Sequence, residues 1–515
     1  MISLIHDPWL PVRLRDGARR WIRPAELVDE QIIELAWPRA DFQGAGYQFL
    51  IGLLQASVAP EDRSEWEEIW DDGLDGDHLA CRLAELAPAF SFGAIKPAFM
   101  QDFDSLEVEP LSIANLLIEA PGGNTLKLNK DHFVKRGSVV HVCLRCAAMA
   151  LFTLQVNAPS GGQGHRTSLR GGGPITSLVW PQQVDTPLWR RLWLNVLSQE
   201  EMPAFTGVPA DVFPWMAATR TSEQANLVTT PELSHRQQAY WGMPRRVEID
   251  FDSVGTGSCD LCGEPSELLL SQYRTKNYGV QYDGWVHPLT PYRQDLKVPG
   301  APLLSVKGQP GGLLYRDWLG LLWQGEGERS RELPAAVVAQ AQRFYLNTAI
   351  GLWCFGYDMD NMKARCWYQH SLPLRALEPG LAGRAADWLR QAAQAAQAGL
   401  LVLRGAVKAA WNNRPKDAKG DFSFIDIAFW QETEGAFMSL LDKLCANPDD
   451  PAPLADWGRY LRRQLLQRFD ALVLASPELA LDLSRELKAR KDLYAQLGKT
   501  HALAQLAKFN HKETA

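Results

Sequence analysis

Two cysteine pairs in the sequence have the spacing of metal ligands. The first pair is Cys143 and Cys146, and the second is Cys259 and Cys262, which Gly263 follows. Each pair can bind one side of a tetrahedral zinc ion, and two pairs fill its four positions with sulfur. A catalytic zinc keeps one position free for water or substrate. The pattern therefore predicts a closed, structural zinc site that joins two distant parts of the chain.

The alternative is that these cysteines are ordinary core residues, because free cysteine often packs as a small apolar side chain. Gly263 favours the zinc site, since a zinc knuckle must turn its backbone amides toward the sulfur atoms and glycine permits that turn. The remaining cysteines lack the paired spacing and are interpreted as core residues or thiols without a role: Cys81, Cys354, Cys366 and Cys445.

A glycine-rich stretch lies between the cysteine pairs, and we call residues Ser160 to Gly173 the glycine-rich loop. It lacks the lysine and serine that end a P-loop, so the sequence does not support nucleoside triphosphate binding. Glycine lets a backbone approach a ligand where a Cβ atom would clash. His165, Arg166 and Arg170 add donors and charge, which favours nucleic acid as the ligand. A plain flexible connector is the alternative.

Two further segments combine a cation or an amide with apolar neighbours. Lys276 lies at a turn between apparent strands, from which its long side chain can reach into a groove. Asn361 can contact a base edge, and Met362 can wedge against a base step as apolar residues do in minor-groove binders. For Lys276, the alternative is an exposed lysine without a partner.

A basic loop precedes the first cysteine pair. It runs from Pro121 to Arg136 and contains several lysines around Phe133 and Val134. Such a loop can hold a phosphate backbone and stack one base on its aromatic ring. A solvated loop that its phenylalanine anchors to the core fits the sequence equally well.

Length and charge limit the class of protein. The chain has 515 residues, which predicts two or more domains, and its formal net charge is -7. An acidic chain is not one whose whole surface binds nucleic acid, so any such contact must be local. The start of the sequence lacks a signal peptide, and no uncharged stretch is long enough to cross a bilayer. With unpaired thiols, this predicts a cytoplasmic protein with no membrane partner.

Periodicity predicts an α+β fold with two domains. Residues up to Arg23 indicate a β-hairpin, and Phe42 to Ala59 a buried helix. Strand patterns end near Leu377, so we predict a mixed domain over residues 1–375 that contains the zinc site. Residues 376–515 are predicted to form an all-α four-helix bundle. Its helices are expected in four segments: Leu381 to Asn412, Ile425 to Ala446, Leu454 to Leu474 and Leu479 to Leu506.

The order of these motifs resembles the CasA family, the large subunit of the type I-E CRISPR surveillance complex Cascade. The resemblance covers most of the chain. It depends on several short motifs in a fixed order: Asp7-Pro8-Trp9-Leu10-Pro11-Val12, Phe133-Val134, Cys143 and Cys146, Ala158-Pro159, Leu169-Arg170-Gly171-Gly172, Cys259 to Gly263, Trp285 to Pro291, and Gly356-Tyr357, with helices at the end.

The resemblance implies a non-catalytic protein in an RNA-guided antiviral complex. Such proteins read the protospacer-adjacent motif (PAM) of double-stranded DNA, help to open the duplex and dock a helicase-nuclease. The implied partners are the other Cascade subunits, the 5′ handle of the guide RNA, the target duplex and the helicase-nuclease.

Carried over by position, the resemblance also implies contact residues. The DNA-binding positions are the family's glycine loop, its lysine finger and its wedge: Gly161, Gly162, Gln163 and Gly164, then Lys276, then Asn361, Met362 and Lys363. An ungapped count from Cys262 places the finger at Asn277. The loop that meets the guide RNA corresponds to Phe133, Val134 and Lys135. The wedge here lacks the glutamine found in the best-known relative, so the residue that parts the first base pair differs.

Two other classes of protein compete with this interpretation. A zinc-dependent nucleic-acid hydrolase or deaminase is indicated by His141 near Cys143, but the His-x-Glu motif of deaminases is missing and four thiolates leave no position for activated water. A purely structural scaffold subunit is the other alternative. Duplex binding with and without the flanking motif separates the scaffold from the PAM reader.

Overall fold

The chain folds into helices and short antiparallel sheets, which confirms the predicted α+β class. The computed structural model describes residues 1–129, 131, 134–159, 161, 164–205, 207–224, 227–252, 254–309, 311–326, 330–344, 349–360, 363–374, 379–417, 419–475 and 482–509.

The strands are short except for two near residue 360. They are β1 Ile2–Ser3, β2 Leu10–Leu14, β3 Arg19–Ile22, β4 Ile32–Leu35, β5 Ser91–Phe92, β6 Leu111–Ser112, β7 Val142–Cys143, β8 Thr176–Pro181, β9 Arg246–Ile249, β10 Val254–Ser258, β11 Pro265–Leu270, β12 Gln272–Lys276, β13 Tyr292–Asp295, β14 Leu304–Ser305, β15 Gly325–Glu326, β16 Ser330–Leu333, β17 Ile350–Asp360 and β18 Lys363–Pro373.

The two longest described helices lie in the last third of the chain, with 33 and 24 residues. They are α1 Ala40–Ser57, α2 Arg63–Asp72, α3 Gly76–Leu86, α4 Gly123–Lys127, α5 Leu144–Asn157, α6 Leu188–Trp193, α7 Pro209–Val212, α8 Tyr315–Leu322, α9 Ala336–Phe344, α10 Pro379–Trp411, α11 Ser423–Ala446, α12 Ala452–Phe469, α13 Leu483–Lys499 and α14 His501–Leu506. Single 3-10 turns occur between them, for example at Pro24–Val28 and Arg236–Trp241, and a π-helical turn spans Asp470–Leu474.

Contacts within the chain define two compact units. The mixed unit comprises Met1–Gly308 and Glu326–Leu374, and the helical unit comprises Gln309–Gly325 and Arg375–Ala515. The helical unit therefore includes residues from inside the range predicted for the first domain, because α8 packs against α10 and α11. The division into domains 1–375 and 376–515 stays a prediction.

An aromatic core surrounds α1 in the mixed unit. This helix is buried on nearly all sides, as expected for a helix that is apolar around its whole circumference. Its Phe49 makes edge-to-face ring contacts with Trp9, Phe90, Phe152 and Trp241 at centroid distances of 5.1–5.8 Å. The predicted helix from Phe42 to Ala59 is confirmed, and it begins two residues earlier, at Ala40.

Small sheets of the mixed unit carry the segments that the sequence singled out. β11 pairs with β7 and β10, which both lead into cysteine pairs. β12 pairs with β6 and β9 and ends at Lys276, opposite Arg246. β17 pairs with β8 and β18, and the β17–β18 hairpin closes where Asp360 faces Lys363. The predicted N-terminal hairpin is confirmed as β2 and β3.

The helical unit is organised around α10. This 33-residue helix contacts α11, α12, α13 and α14. Trp457 of α12 donates a hydrogen bond from Nε1 to the Ala392 carbonyl of α10 at 3.0 Å. One face of α12 is apolar and buried at Trp457, Leu461, Leu465 and Phe469.

The last predicted helix differs from the structure. We expected one segment from Leu479 to Leu506, but α13 begins at Leu483 and ends before Thr500, whose extended backbone (φ -67°, ψ 112°) separates α13 from α14. Apolar periodicity continues across this break, so the sequence pattern did not reveal it. The arrangement of the helices as a four-helix bundle stays a prediction.

Candidate metal centre and nucleic-acid interface

The four paired cysteines, which we call the cysteine cluster, come together in the mixed unit. Cys143 ends β7 and is the N-cap residue of α5, and Cys146 lies in the first turn of that helix. Cys259 and Cys262 lie in the turn between β10 and β11. Because β11 pairs with β7, with Leu269 opposite Cys143, the strand register places both pairs at one end of the sheet.

The turn at the second pair has the geometry of a zinc knuckle. Gly263 has φ +75° and donates its backbone N–H to the Cys259 carbonyl at 2.8 Å, while the Cys259 N–H bonds to the Glu264 carbonyl at 2.9 Å. A positive φ is costly for residues with a Cβ atom, so glycine suits this position. The Cys143 N–H also points at the Cys259 sulfur, at 3.3 Å, as backbone amides do around bound thiolates.

The sulfur positions fit a tetrahedral zinc ion. All four Sγ atoms lie within 4.8 Å of one another, and the Cys143 and Cys262 Sγ atoms are 3.8 Å apart. Zn–S bonds of about 2.3 Å in a tetrahedron require sulfur atoms about 3.8 Å apart. Three of the cysteines are buried and Cys262 is half-buried. The residues present therefore match a closed four-sulfur ligand set.

Packing four thiols around one point shifts their pKa values in opposite directions. Hydrogen bonds with Cys143, then Cys259 and Cys262, raise the pKa of the Cys146 thiol. Hydrogen bonds from Cys143, Cys146 and Cys262 lower the pKa of Cys259, because they stabilise its thiolate. A central divalent cation favours the thiolate form of all four groups.

An aspartate of the second knuckle connects the cysteine cluster to the chain before Cys143. Asp260 accepts hydrogen bonds at Oδ2 from the backbone N–H groups of Val140 and His141, at 2.7 and 2.8 Å. Its own N–H donates to the His141 carbonyl at 2.9 Å. The segment that follows the predicted guide-RNA contact is thus fixed to the turn that carries Cys259 and Cys262.

The predicted guide-RNA contact is described only in part. Phe133 lies outside the described residues, Val134 is half-buried and Lys135 is exposed. The adjacent Arg136 donates to the Leu126 carbonyl at 3.2 Å and to the Asn129 side chain at 3.0 Å. These bonds close a loop that presents Lys135 to solvent.

The glycine-rich loop is closed at its base by a buried arginine. Gly162 and Gln163 lie outside the described residues, and Gly161 is exposed. Arg170 is 4% exposed and donates to the Val156 carbonyl, near the end of α5, and to Thr176, which begins β8. The hypothesis that Arg170 offers its donors to a ligand is therefore wrong, because its guanidinium group faces inward.

The glycine-rich loop contacts the turn that carries Lys276. The Tyr278 N–H donates to the Gly164 carbonyl at 2.7 Å. A Cβ atom at Gly164, where φ is +79°, would lie 2.8 Å from the Cβ of Asn277. Lys276 is exposed at the end of β12. Two of the segments predicted to bind DNA are thus brought together.

The other end of the loop contacts the β17–β18 hairpin. A Cβ atom at Gly173 would lie 2.7 Å from Cγ of Met359, and the Gly308 N–H donates to the Gly173 carbonyl at 3.2 Å. Asn361 and Met362 lie outside the described residues, and Lys363 is exposed at the start of β18. The glycine-rich loop therefore contacts the Lys276 turn at one end and, at the other, β17 of the hairpin that leads to the predicted wedge.

Sequence reasoning missed three residues that build this region. Asp260 lies between Cys259 and Cys262, and the spacing of the cysteines does not reveal its hydrogen bonds to the chain before Cys143. Arg245 follows Pro244 in a stretch without any motif, yet it donates to the Pro159 carbonyl beside the loop. Tyr278 was visible only as an aromatic near Lys276. Each acts through a contact with a distant part of the chain.

No described helix combines the length and apolar character that a membrane span requires.

Comparisons with solved structures support one fold over the whole chain. Thermobifida fusca Cse1 is similar with a TM-score of 0.72 and 18% identity, over 98% of both chains. CasA of Thermus thermophilus is similar with a TM-score of 0.66 and 18% identity, over 98% of this chain and 99% of that chain. A chain of a CRISPR RNA-guided surveillance complex has a TM-score of 0.69 at 16% identity, over 96% and 99%.

The family model described as CRISPR-associated protein Cse1 matches residues 3–468 of the sequence. The resemblance that the motif order indicated is thereby confirmed. The chain belongs to the CRISPR-associated Cse1 family, also named CasA, which provides the large subunit of the type I-E Cascade surveillance complex.

Proposed function

We propose that this chain recognises the PAM in double-stranded DNA and helps to start duplex unwinding as a non-catalytic subunit of the surveillance complex. The observation that carries the proposal is the contact between the glycine-rich loop and the Lys276 turn, through the Tyr278 N–H bond to the Gly164 carbonyl at 2.7 Å. It puts a backbone that can approach DNA closely beside an exposed ammonium group.

These two elements suit readout of the minor groove. That groove presents a degenerate pattern of acceptors, so a close backbone and one lysine recognise a short, permissive motif. The glycine-rich backbone is proposed to approach DNA closely, and the antiparallel pairing of β12 with β9 gives Lys276 a rigid base. The guide RNA reads the rest of the target by base pairing. A net charge of -7 is compatible with this role because the contact is local.

The hairpin tip and the basic loop complete the proposed nucleic-acid contacts. Asn361, Met362 and Lys363 are proposed to form the wedge that parts the first base pair. Phe133, Val134 and Lys135 are proposed to meet the 5′ handle of the guide RNA. The first segment adjoins the paired strands of the β17–β18 hairpin, and the second precedes the residues that Asp260 fixes.

A structural zinc ion is proposed to hold the cysteine cluster together. The sulfur spacing and burial support four thiolate ligands, which fill the coordination shell of zinc. A hydrolase or deaminase needs a water on its zinc, so this ligand set argues for a non-catalytic role. The free thiols also fit a reducing cytoplasm.

The helical unit is proposed to form a four-helix bundle, and the chain is proposed to dock other Cascade subunits and the helicase-nuclease. The contacts of α10 with α11, α12 and α13 support a bundle. The proposed domain division is residues 1–375 and 376–515.

Reconstitution tests the proposal. Adding the chain to a surveillance complex that lacks its large subunit should restore PAM-dependent binding to duplex DNA. In the same assay, Lys276→Ala should weaken duplex binding about tenfold and reduce the slope of log Kd against log salt concentration by about one, since one positive charge next to the DNA is lost. Binding to a single-stranded target should stay within about twofold.

The matched control is Lys443→Ala, which removes one exposed lysine from α11. Equal loss of duplex and single-strand binding in Lys276→Ala would contradict the role of Lys276. Restored complex assembly without any dependence on the PAM would indicate a scaffold subunit instead.

A further inference from the structure

Two arginine side chains lie at the base of the glycine-rich loop, and within the described residues their hydrogen-bond acceptors are all neutral. Arg170 donates to Gln48 Oε1, Thr176 Oγ1, Thr290 Oγ1, the Val156 carbonyl and Asn157 Oδ1, at 2.8–3.2 Å. None of these acceptors carries a charge. Burial lowers the pKa of Arg170 to about 10, so the group is still protonated at neutral pH.

Arg245 approaches the loop from the start of β9. It donates from Nη2 to the Pro159 carbonyl, and its Nη1 lies 2.6 Å from where a Cβ atom of Gly161 would be. Within the described residues its Nε is buried without a hydrogen-bond partner. Burial lowers the pKa of Arg245 to about 10, which leaves it charged. Burial and the Arg245 charge lower the pKa of His165, so this neighbour is neutral at pH 7.

The next residue has the opposite environment. Arg246 donates from Nε to Asp102 Oδ2 at 2.6 Å and from Nη1 to Glu223 at 3.3 Å. Its charge is therefore compensated by two carboxylates. In the described part of the chain, Arg170 and Arg245 have no such ion pair, so the difference lies in their surroundings and not in residue type.

The base of the loop consequently carries excess positive charge. The C-terminal end of α5, which leads into the loop, contributes only about half a negative charge from its helix dipole. Two guanidinium groups exceed this. Gly161 is exposed, and the position of its missing Cβ atom lies 2.6 Å from Arg245 Nη1 and 2.8 Å from the His165 Cβ, so the guanidinium group lies directly beside the Gly161 backbone.

We propose that Arg245 is a positioning residue for nucleic acid: its uncompensated charge lies beneath the glycine-rich loop and attracts the backbone phosphates of the target duplex. Arg170 adds to this field from the other side of the loop base. The inference rests on the proposed function, which it deepens by adding a cation beneath the loop to the contacts of Lys276. It also explains why residue 161 is glycine, since any Cβ atom there would displace the Arg245 guanidinium group.

The test separates charge from hydrogen bonding. Arg245→Lys keeps the charge and loses the planar fork, whereas Arg245→Gln loses the charge and keeps a donor for the Pro159 carbonyl. In the reconstituted complex, Arg245→Gln should weaken binding to a PAM-bearing duplex about threefold to tenfold and reduce the salt slope by up to about one. Arg245→Lys should stay within about twofold of wild type.

A purely structural role of Arg245 predicts a different ranking of the two variants by affinity. If Arg245 only holds the loop, Arg245→Lys should lose as much affinity as Arg245→Gln, with an unchanged salt slope in both variants. That result would overturn the inference. Hydrogen exchange of the Ser168 amide, which bonds to the Ala158 carbonyl at 2.9 Å, checks that the loop base stays folded. The control variant is Arg293→Gln, because Arg293 is exposed and forms an ion pair with Glu332.

Failure of the inference is distinguishable from failure of the proposed function. Wild-type complex that binds duplex DNA without any PAM dependence would refute the proposed function. Wild-type binding that is PAM-dependent, with no change of affinity or salt slope in Arg245→Gln, would refute the inference alone.

Discussion

The cysteine cluster and the glycine-rich loop belong to the same unit but are held by different kinds of contact. The cluster gathers four side chains of one type, with sulfur atoms within 4.8 Å of one another. The loop is held by three unrelated bonds: its own Arg170 donates to the Val156 carbonyl, Arg245 donates to the Pro159 carbonyl just before the loop, and the Tyr278 N–H donates to the Gly164 carbonyl. A ligand set for one metal ion constrains its residues jointly, whereas each support of the loop can be changed alone.

This difference predicts how the two regions respond to substitution. Removing any part of the cluster should disturb the whole cluster, because the remaining thiols would no longer complete the coordination shell of the proposed zinc ion. Removing one support of the loop should produce a limited, graded effect. Four substitutions test this contrast, from the largest expected effect to the smallest.

Replacing a cysteine pair should have the largest effect. In Cys259→Ser/Cys262→Ser we expect loss of one bound zinc per chain and a fall of more than about 10 °C in the thermal midpoint of the mixed unit, since zinc binding contributes folding free energy. Metal analysis and calorimetry measure both. The control pair Cys81→Ser/Cys366→Ser changes exposed thiols. The metal site would be contradicted if purified wild-type protein contained no zinc and the double variant had the same thermal midpoint as wild type.

Arg170→Met removes the guanidinium that closes the loop base. Several buried acceptors lose their donors, so the free energy of unfolding should fall by about 3 kcal/mol in urea titrations. Arg343→Met serves as the control, because Arg343 forms a surface ion pair with Glu201 at 2.7 Å. Its change should be below about 1 kcal/mol. Similar losses in the two variants would show that the loop does not depend on Arg170.

Gly164→Ala tests the contact between the loop and the Lys276 turn. The residue has φ +79°, and the added Cβ would lie 2.8 Å from the Asn277 Cβ, so we expect a loss of about 1–2 kcal/mol. Gly405→Ala, in α10 with open space around the added Cβ, should instead gain about 0.5–1 kcal/mol. Urea unfolding measures both, and the same sign for the two variants would refute the contact.

Asp260→Asn should have the smallest effect. The amide oxygen can still accept from Val140 and His141, but it lacks the charge that strengthens both bonds. We expect about threefold faster hydrogen exchange at these two amides and less than about 1 kcal/mol of lost stability. Asp283→Asn, at an exposed position, should change neither. Unchanged exchange in Asp260→Asn would mean that the cluster and the preceding segment are independent.

The sequence predicted most elements whose physical cause is local. Apolar periodicity located α1, α10, α11 and α12, and alternation with a turn located the β2–β3 hairpin. The break at Thr500 was missed because the apolar pattern continues on both sides of it. The paired cysteine spacing located all four members of the cluster. Cysteine pairs are visible in a sequence because the two cysteines of a zinc knuckle are separated by only two residues.

The supports of the glycine-rich loop could not be predicted in the same way. Arg170 looked like a ligand-facing cation beside glycines, and only its partners on α1, α5 and β8 reveal that it is buried. Arg245 and Arg246 are identical in type and adjacent, yet one meets a backbone carbonyl and the other meets carboxylates. These partners lie at irregular distances along the chain and are of different residue types. No sequence pattern therefore identifies them.

Residue types and short-range spacing were sufficient for the α+β class, for the assignment of four cysteines to two knuckles and for the family to which the chain belongs. Knowing which charges are compensated and which segments touch required the folded chain. Burial and ion pairing depend on strand register and helix packing, and these bring together residues whose separation along the chain carries no periodic signal.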